Sequence, residues 1–588
     1  MADSRAPDKM PEMTESRRKR CERRLVQLQN ERDGGGWITH WRELADFFMP
    51  RRGRLTLSGQ GASQQMNRGE KRHNKIIDGT PISARETLSA GMMAGITSPA
   101  RPWFRNTVAD PELRELQDVK EWLADVDRNM RDVLARSNFY ESAHAFYDEI
   151  GTFGTAVMLA DEDPDDVVVF RTLTVGEYLL GLDSKSRVDT LYREFRMTVR
   201  QLVQEFGWDA VSDAVRNQYG NGNVEAWIDV VHVIEPNEER DVRRADYRGM
   251  AYRSTYYERG KSEVNKDALL RESGFRECPI LAARWSVLGG DTYGTSPAMN
   301  ALGDAKALQI QERRKALAID KFVDPPLNVP VEMRTWGVSS IPGGVNYYSQ
   351  ATGTRPGITP AYEGNPTMLT PLLEDEGQLR DRINRFMYAD LFLMLANSDR
   401  RQITAREIEE RHEEKLLMLG PVLERLNSEF LNRLIDRLFG IMLRRGLIPP
   451  APEALQGVAL KTEYISVLAQ AQKQVALAGV DAFLGRVGQM AEAWPRVLDK
   501  VDPDQVVDEV ADMLGVSPRI VVPDDTVAAK READAQQTQM QQAAAMAKPV
   551  ADIAGAMTKA AGTPAAEGSV LERIAPALGA AGAQQGAA

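Results

Sequence analysis

Cysteine is nearly absent: the 588 residues contain two, Cys21 and Cys278. Two so far apart make neither a disulfide framework nor a thiolate metal site, and they fit a reducing compartment. Histidine is scarce, and the five residues from His40 to His412 share no metal-ligand spacing. Long apolar runs are missing. No stretch approaches the roughly 18 uncharged apolar residues of a membrane-spanning helix, and the polar N-terminus lacks the apolar core of a secretory leader. No membrane partner is expected.

Catalytic templates are missing as well. Gly260-Lys261-Ser262 ends like a phosphate loop, but the first glycine of that loop would fall at Thr255, inside a tyrosine-rich strand pattern. His412-Glu413 begins like a zinc helix, yet the second ligand position is Leu416. The Asp161–Asp166 cluster has Asp166 where a calcium loop needs glycine and Thr172 where it needs glutamate, so it reads as a solvated hairpin turn. There is no nucleophile elbow, no paired Cys-x-x-Cys and no dinucleotide fingerprint after a strand. These absences favour a structural or conduit role over an enzyme, and no cofactor is expected. The net charge of −11 argues against tight DNA binding. It would suit a surface along which DNA slides, because affinity follows the number of phosphates neutralised.

What is present is organised around Tyr293–Leu395. Ser296 is a natural N-cap and Pro297 fits the first helical position, whose N–H has no partner in any case. An Ala- and Leu-rich pattern runs from there to about Val323, where Asp324-Pro325-Pro326 stops it. A second helix is expected from Thr370-Pro371 to about Leu395, with Glu374, Asp375 and Glu376 placed where the helix dipole favours them. At 1.5 Å per residue both come out at roughly 40 Å. The Pro-, Gly- and Tyr-rich insert between them predicts a rod with a small β-rich tip. The first helix carries Lys306, Arg313, Arg314, Lys315 and Lys321 against Asp304, Glu312 and Asp320. The second carries Arg380, Arg382 and Arg385 against Glu374, Asp375, Glu376, Asp381 and Asp390. Opposite balances suit helices that pack on one another, within or between subunits, although ordinary solvated faces would look much the same.

The remaining chain reads as several domains, since single cores rarely exceed about 250–300 residues. Arg17–Arg20 with Arg23 and Arg24 reads first as the solvated face of a helix and second as a nucleic-acid or partner patch. Trp37, Trp41, Leu44 and Phe48 share one helical face. Further helices follow Thr80-Pro81 and Asp110-Pro111, the latter with Leu116 to Val133 at helical spacing. From Thr155 the period changes: 156–159, 167–170, 191–197, 227–234, 252–257 and 280–287 read as strands, interrupted by a helix near 199–206. Thr404 with Glu407 is a capping box. Gly420-Pro421 should kink or split the helix begun there, and the apolar stripe beyond, from Leu423 to Met442, ends before Pro449-Pro450. Helices are expected at 466–494 and 504–514, one more to about Met546, and then a low-complexity tail. The fold class is α+β, predominantly helical.

Several of these stretches resemble bacteriophage portal proteins, the head-to-tail connectors of short-tailed phages. They are Trp41-Arg42-Glu43-Leu44-Ala45 to Pro50-Arg51; Asp78-Gly79-Thr80-Pro81 through Leu88-Ser89-Ala90-Gly91-Met92; Pro279–Trp285 with Gly289–Pro297 and Ala301–Asp304; and Thr404-Ala405-Arg406-Glu407. They occur in order, and the resemblance covers roughly Trp37 to Pro523. The resemblance implies an annular oligomer, usually of twelve subunits, at one capsid vertex. It further implies a basic N-terminal arm (1–36), a wing (37–292), stem helices (293–323 and 371–395) and a clip (324–370). After the second stem helix would come a tunnel loop (396–403), a kinked wing helix with a return strand (404–465), a crown (466–523) and an Ala-rich barrel helix or tail (524–588). Asn397, Ser398, Asp399, Arg400, Arg401 and Gln402 would line the DNA channel. Lys306, Arg313, Arg314, Lys315, Arg380, Arg382 and Arg385 are the stem candidates. The partners implied are double-stranded viral DNA, the terminase large subunit, major capsid and scaffolding proteins, and a tail adaptor. Alternatives from other classes are a nucleotide-driven packaging enzyme, which needs a phosphate loop, and a generic capsid structural protein.

Overall fold

The computed structural model describes residues 16–50, 75–259, 269–329, 370–397, 419–455 and 460–464, then 479–491, 494–514, 520–522 and 526–541, with 339, 359–360 and 457 besides. It divides into two compact units, Met1–Ala476 and Leu477–Ala588. The first unit opens with helices α1 (Arg17–Gly34), α2 (Trp37–Phe48) and α3 (Thr80–Ile96) and strand β1 (Phe104–Val108). Next come α4 (Pro111–Glu115), α5 (Gln117–Arg136) and α6 (Phe139–Phe153). The strands β2 (Thr155–Asp163), β3 (Val167–Leu173), β4 (Tyr178–Leu182) and β5 (Val188–Thr198) lead into α7 (Val199–Phe206) and α8 (Asp213–Gly220). Then follow β6 (Trp227–Pro236), β7 (Tyr252–Glu258), β8 (Arg271–Phe275) and β9 (Ile280–Arg284). After the long helix α9 (Pro297–Val323) are β10 (Leu327–Asn328), β11 (Thr359–Pro360), α10 (Thr370–Phe386) and α11 (Ala389–Asn397). The unit closes with α12 (Gly420–Leu426), α13 (Asn432–Arg444) and β12 (Leu460–Tyr464).

Four antiparallel arrangements make the β part among the described residues: five strands in the order β4-β5-β6-β7-β8, three in the order β3-β2-β9, and the pairs β1-β12 and β10-β11. Alternation along β6 puts Val231 and Val233 on one face of the five-stranded sheet and Val230 on the other. The first face takes Cys21, Leu25 and Leu28 of α1, and the second takes Val199, Leu202, Val211 and Val215 around α7 and α8. Each such side chain contributes about 1.5–3 kcal/mol on full burial. Between β2 and β3 the acidic cluster is a hairpin turn, in which Asp163 Oδ1 accepts from the N–H groups of Asp165 and Asp166, both at 2.9 Å.

Several expectations change. The basic cluster of α1 is only in part a solvated face: Lys19 and Arg23 are exposed, but three arginines turn to the sheet. Arg17 pairs with Glu235 at 2.5 Å, Arg18 donates to the Glu258 carbonyl at 2.9 Å, and Arg20 pairs with Glu239 at 3.3 Å. They hold the helix to the sheet whose apolar face it covers. The helix expected after Asp110-Pro111 is broken at Leu116, which is extended at φ −64° and ψ 126°. The second long helix ends at Phe386 rather than near Leu395, because Tyr388 turns left-handed at φ 55° before α11 begins. At 17 residues it spans about 26 Å rather than the expected 40 Å. Strands β1, β4 and β8 and helices α6 and α8 add to the expected set.

Gly420-Pro421 starts α12, and five residues, Asn427–Leu431, then form a π-helical turn before α13 continues. The extra residue in this turn brings Glu429, Phe430 and Leu431 all inward. Phe430 stacks on Phe146 at 4.2 Å, and Glu429 receives the buried Arg284. In the second unit, helices occupy 479–491, Pro503–Leu514 and 526–541. The capping box at Thr404 and Glu407 lies outside the described residues, as does His412-Glu413.

Candidate functional site

The first long helix starts as its sequence dictates. Ser296 Oγ accepts from the Met299 N–H at 3.1 Å and donates to the Thr152 carbonyl at 2.7 Å, and Pro297 opens the helix. Just before it, Gly294 donates to Thr155 Oγ1 at 2.8 Å, and Tyr293 meets Trp41 edge-on at 5.1 Å. The entry to α9 is therefore seated on the end of α6 and on α2.

Along α9 the environment divides in two. Ala298, Ala301, Leu302, Ala305, Leu308 and Gln309 are buried. Beyond Gln309 the apolar residues lose their cover: Ile310 is 53% exposed, Leu317 54%, Ile319 43% and Val323 79%. α10 covers part of this half, yet these four apolar side chains stay exposed among the described residues.

α10 packs beside α9 through a polar seam. Lys315 Nζ lies 2.6 Å from both Glu312 and Glu376. Burial works against its charge, but the hydrogen bonds to the two carboxylates outweigh that and hold the ammonium above its ordinary range. Arg380 donates to Asp78 at 2.9 Å and also reaches Glu312. For Asp78, burial pushes the carboxyl up, while bonds from Thr80 and Arg380 more than reverse this and hold it below the usual range. Arg382 pairs with Asp304 at 3.2 Å, and Lys306 pairs with Glu43 of α2 at 2.9 Å. The exposed pairs contribute about 0–1 kcal/mol each; their main effect is to fix the register of the two helices.

Of the seven stem candidates, Lys306, Lys315, Arg380 and Arg382 are thus engaged inside the subunit. Arg313, Arg314 and Arg385 are exposed and form no ion pair among the described residues. Asn397 is the last residue of α11. Ser398, Asp399, Arg400, Arg401 and Gln402 lie outside the described residues, as does most of the insert, of which β10 and β11 form one short antiparallel pair. Sequence reasoning missed Gln309 and Asp78 as parts of the seam. Asp78 precedes Gly79-Thr80-Pro81, and its carboxylate accepts from the Thr80 N–H at 2.7 Å, so a capping signal was available; Gln309 gave none.

Two long helices joined through an ion-paired seam are seated on a mixed α+β body, and sequence kinship defines the class. The chain belongs to the family of bacteriophage head-to-tail connecting proteins, whose pattern it matches over residues 18–521. It is 48% identical over 545 residues to the "Probable portal protein" of Bordetella phage BPP-1, covering 93% of this chain and 96% of that one. With the "Portal protein" of Salmonella phage epsilon15 it shares 44% identity over 569 residues, covering 97% of this chain and all of the other.

Proposed function

We propose that this connector subunit closes into a ring at one capsid vertex and that double-stranded DNA passes through the hole, inward during packaging and outward at ejection. The observation that carries the ring is the exposed apolar side chains on the second half of α9. Exposed apolar surface on a helix marks a contact with another molecule; at 3.6 residues per turn Ile310 and Leu317 share one face and Ile319 and Val323 roughly the opposite one, and all four are exposed in the subunit. In a ring they face the neighbouring copies. On this reading α9 and α10 are the stem, 324–370 the clip that meets the terminase large subunit and later the tail adaptor, and 37–292 with 404–465 the wing held by capsid and scaffolding proteins. Residues 466–523 form the crown. The protein hydrolyses nothing; the terminase ATPase drives the DNA. Assembly takes place in the host cytoplasm, and the ring ends in the virion.

A ring multiplies every side chain that faces its axis. The channel charges are assigned to Arg400 and Arg401 at the tunnel loop and, in the stem, to Arg313, Arg314 and Arg385, the candidates that the seam leaves unpaired. Their contacts to phosphate are non-specific and weaken with salt. Replacing both loop arginines by glutamate is expected to leave rings intact and to lower the DNA retained per particle several-fold. Particles of the Arg400→Glu/Arg401→Glu variant that fill and hold DNA like the parent would remove the loop from the channel.

A further inference from the structure

The segment from Asp78 along α3 is one of the stretches that carry the family resemblance, and the channel reading gives it no task. Its helix touches both sides of the break at Tyr388. At the N-terminal end, the backbone N–H groups of Ile77 and Asp78 donate to Gln309 Oε1 at 2.6 and 2.9 Å, and Gln309 Nε2 donates back to the Asp78 carbonyl at 3.0 Å. Arg380 of α10 holds the Asp78 carboxylate at 2.9 Å. This end of α3 is tied to both long helices.

Farther along, Gly91 faces α11. A Cβ at Gly91 would lie 2.2 Å from Cγ of Phe392, 2.3 Å from its Cδ1 and 2.7 Å from its Cβ. Phe392 therefore rests on bare backbone, a close approach that only glycine permits. Between the two anchorages stands Tyr388, left-handed at φ 55°, a conformation uncommon for a bulky residue. Trp285 packs against it with ring centroids 5.8 Å apart.

We infer that α3 is a strut that sets the angle between α10 and α11, with Gly91 and Phe392 as its seat and Asp78 as its fixed foot. It thereby positions the point at which the chain leaves Asn397 for the tunnel loop. The inference rests on the proposal that this loop lines the channel. Gly91 and Phe392 are positioning residues; neither touches DNA. Carbon atoms in ordinary contact lie about 3.5–4.0 Å apart, so the 2.2 Å approach means that a methyl group at position 91 displaces Phe392 by about 1.3 Å or more. With Tyr388 as pivot, four residues from Phe392 and nine from Asn397, that shift grows to roughly 3 Å at the end of α11. Close-packed interiors shift as units rather than compress.

The test uses assembled full-length rings in which Cys21 and Cys278 are alanine and a spin label is attached through Ser398→Cys. Labelled subunits are diluted so that pair distances across the ring are read by electron-electron resonance. Gly91→Ala should move the distance peaks by several ångström, and adding Phe392→Ala should return them to the parental positions. Peaks unmoved by Gly91→Ala overturn the strut. Should Gly91→Ala fail to assemble, Phe392→Ala alone should broaden the distribution, and a parental width overturns the inference equally. Failure of the channel reading registers elsewhere, as DNA retention insensitive to the Arg400/Arg401 reversal whatever the label distances do.

Discussion

Substituting leucine for Glu429 is expected to destabilise the first unit by about 3–5 kcal/mol, the cost of leaving one member of a buried ion pair without its partner. Arg284 is 2% exposed and gives Glu429 its backbone N–H at 3.1 Å, its Nε at 3.3 Å and its Nη2 at 2.6 Å. The same guanidinium donates to the carbonyls of Ser186 at 2.7 Å and Asp291 at 3.3 Å. One charged group thus ties β9, the β4–β5 turn, the approach to α9 and the π-helical turn. Removing the carboxylate leaves the cation buried among carbonyl dipoles that cannot neutralise it. In urea unfolding, the midpoint of the Glu429→Leu protein should fall with little change in slope. The double variant Arg284→Met/Glu429→Leu should recover much of the loss, since a well-packed apolar pair often equals a buried ion pair. A single variant as stable as the parent would show that the pair is not an anchor.

Alanine at Gly154 is expected to cost nearly as much, roughly 2–5 kcal/mol, from two sources that add. Gly154 ends α6 at φ 77°, where a Cβ costs about 1–2 kcal/mol. That Cβ would also lie 2.2 Å from the Gly294 carbonyl oxygen and 2.7 Å from the Thr295 carbonyl carbon. These are backbone atoms that cannot rotate away, and overpacking of this kind costs about 1–3 kcal/mol. The approach is mutual, for a Cβ at Gly294 would meet the Gly154 oxygen at 2.4 Å. Trp285 donates to that same oxygen at 2.9 Å. The change therefore displaces the entry of the long helix as well as weakening the fold. Gly303→Ala is the control. Gly303 lies exposed within α9 with nothing within 4 Å of its absent Cβ, and alanine there should stabilise by about 0.5–1 kcal/mol. Equal unfolding midpoints for the two variants would contradict the close-approach argument.

The sequence was legible where a local signal coincides with a local cause. Ser296-Pro297 and Asp324-Pro325 delimit α9 because capping and proline geometry act within a few residues. The β-branched runs found β2, β3, β5, β6, β7 and β9, since packing on a pleated surface selects those residue types. The misses have non-local causes. No glycine or proline marks the break at Tyr388, which coincides with Trp285 against the ring and Phe392 against Gly91, contacts from remote parts of the chain. β1 finds its partner strand with Phe104 opposite Tyr464, and no periodicity announces a partner that distant. β4 has four of its five residues buried, so it shows no alternation. The candidate site suffered in the same way. Opposite charge balances on two helices implied pairing but not which of the seven cations would be engaged; for Lys306 and Arg380 that depended on Glu43 of α2 and on Asp78 just before α3, brought in from elsewhere in the chain.

The central claim is that uncovered apolar surface on α9 faces further copies of the same chain around a hole. Imaging the purified full-length protein by negative stain, with its mass measured in parallel, tests this most directly. The account predicts closed annuli with a central opening and a mass of about twelve chains. A protein that stays a compact single chain at assembly-competent concentrations, or that forms shells or filaments without a central opening, would contradict it.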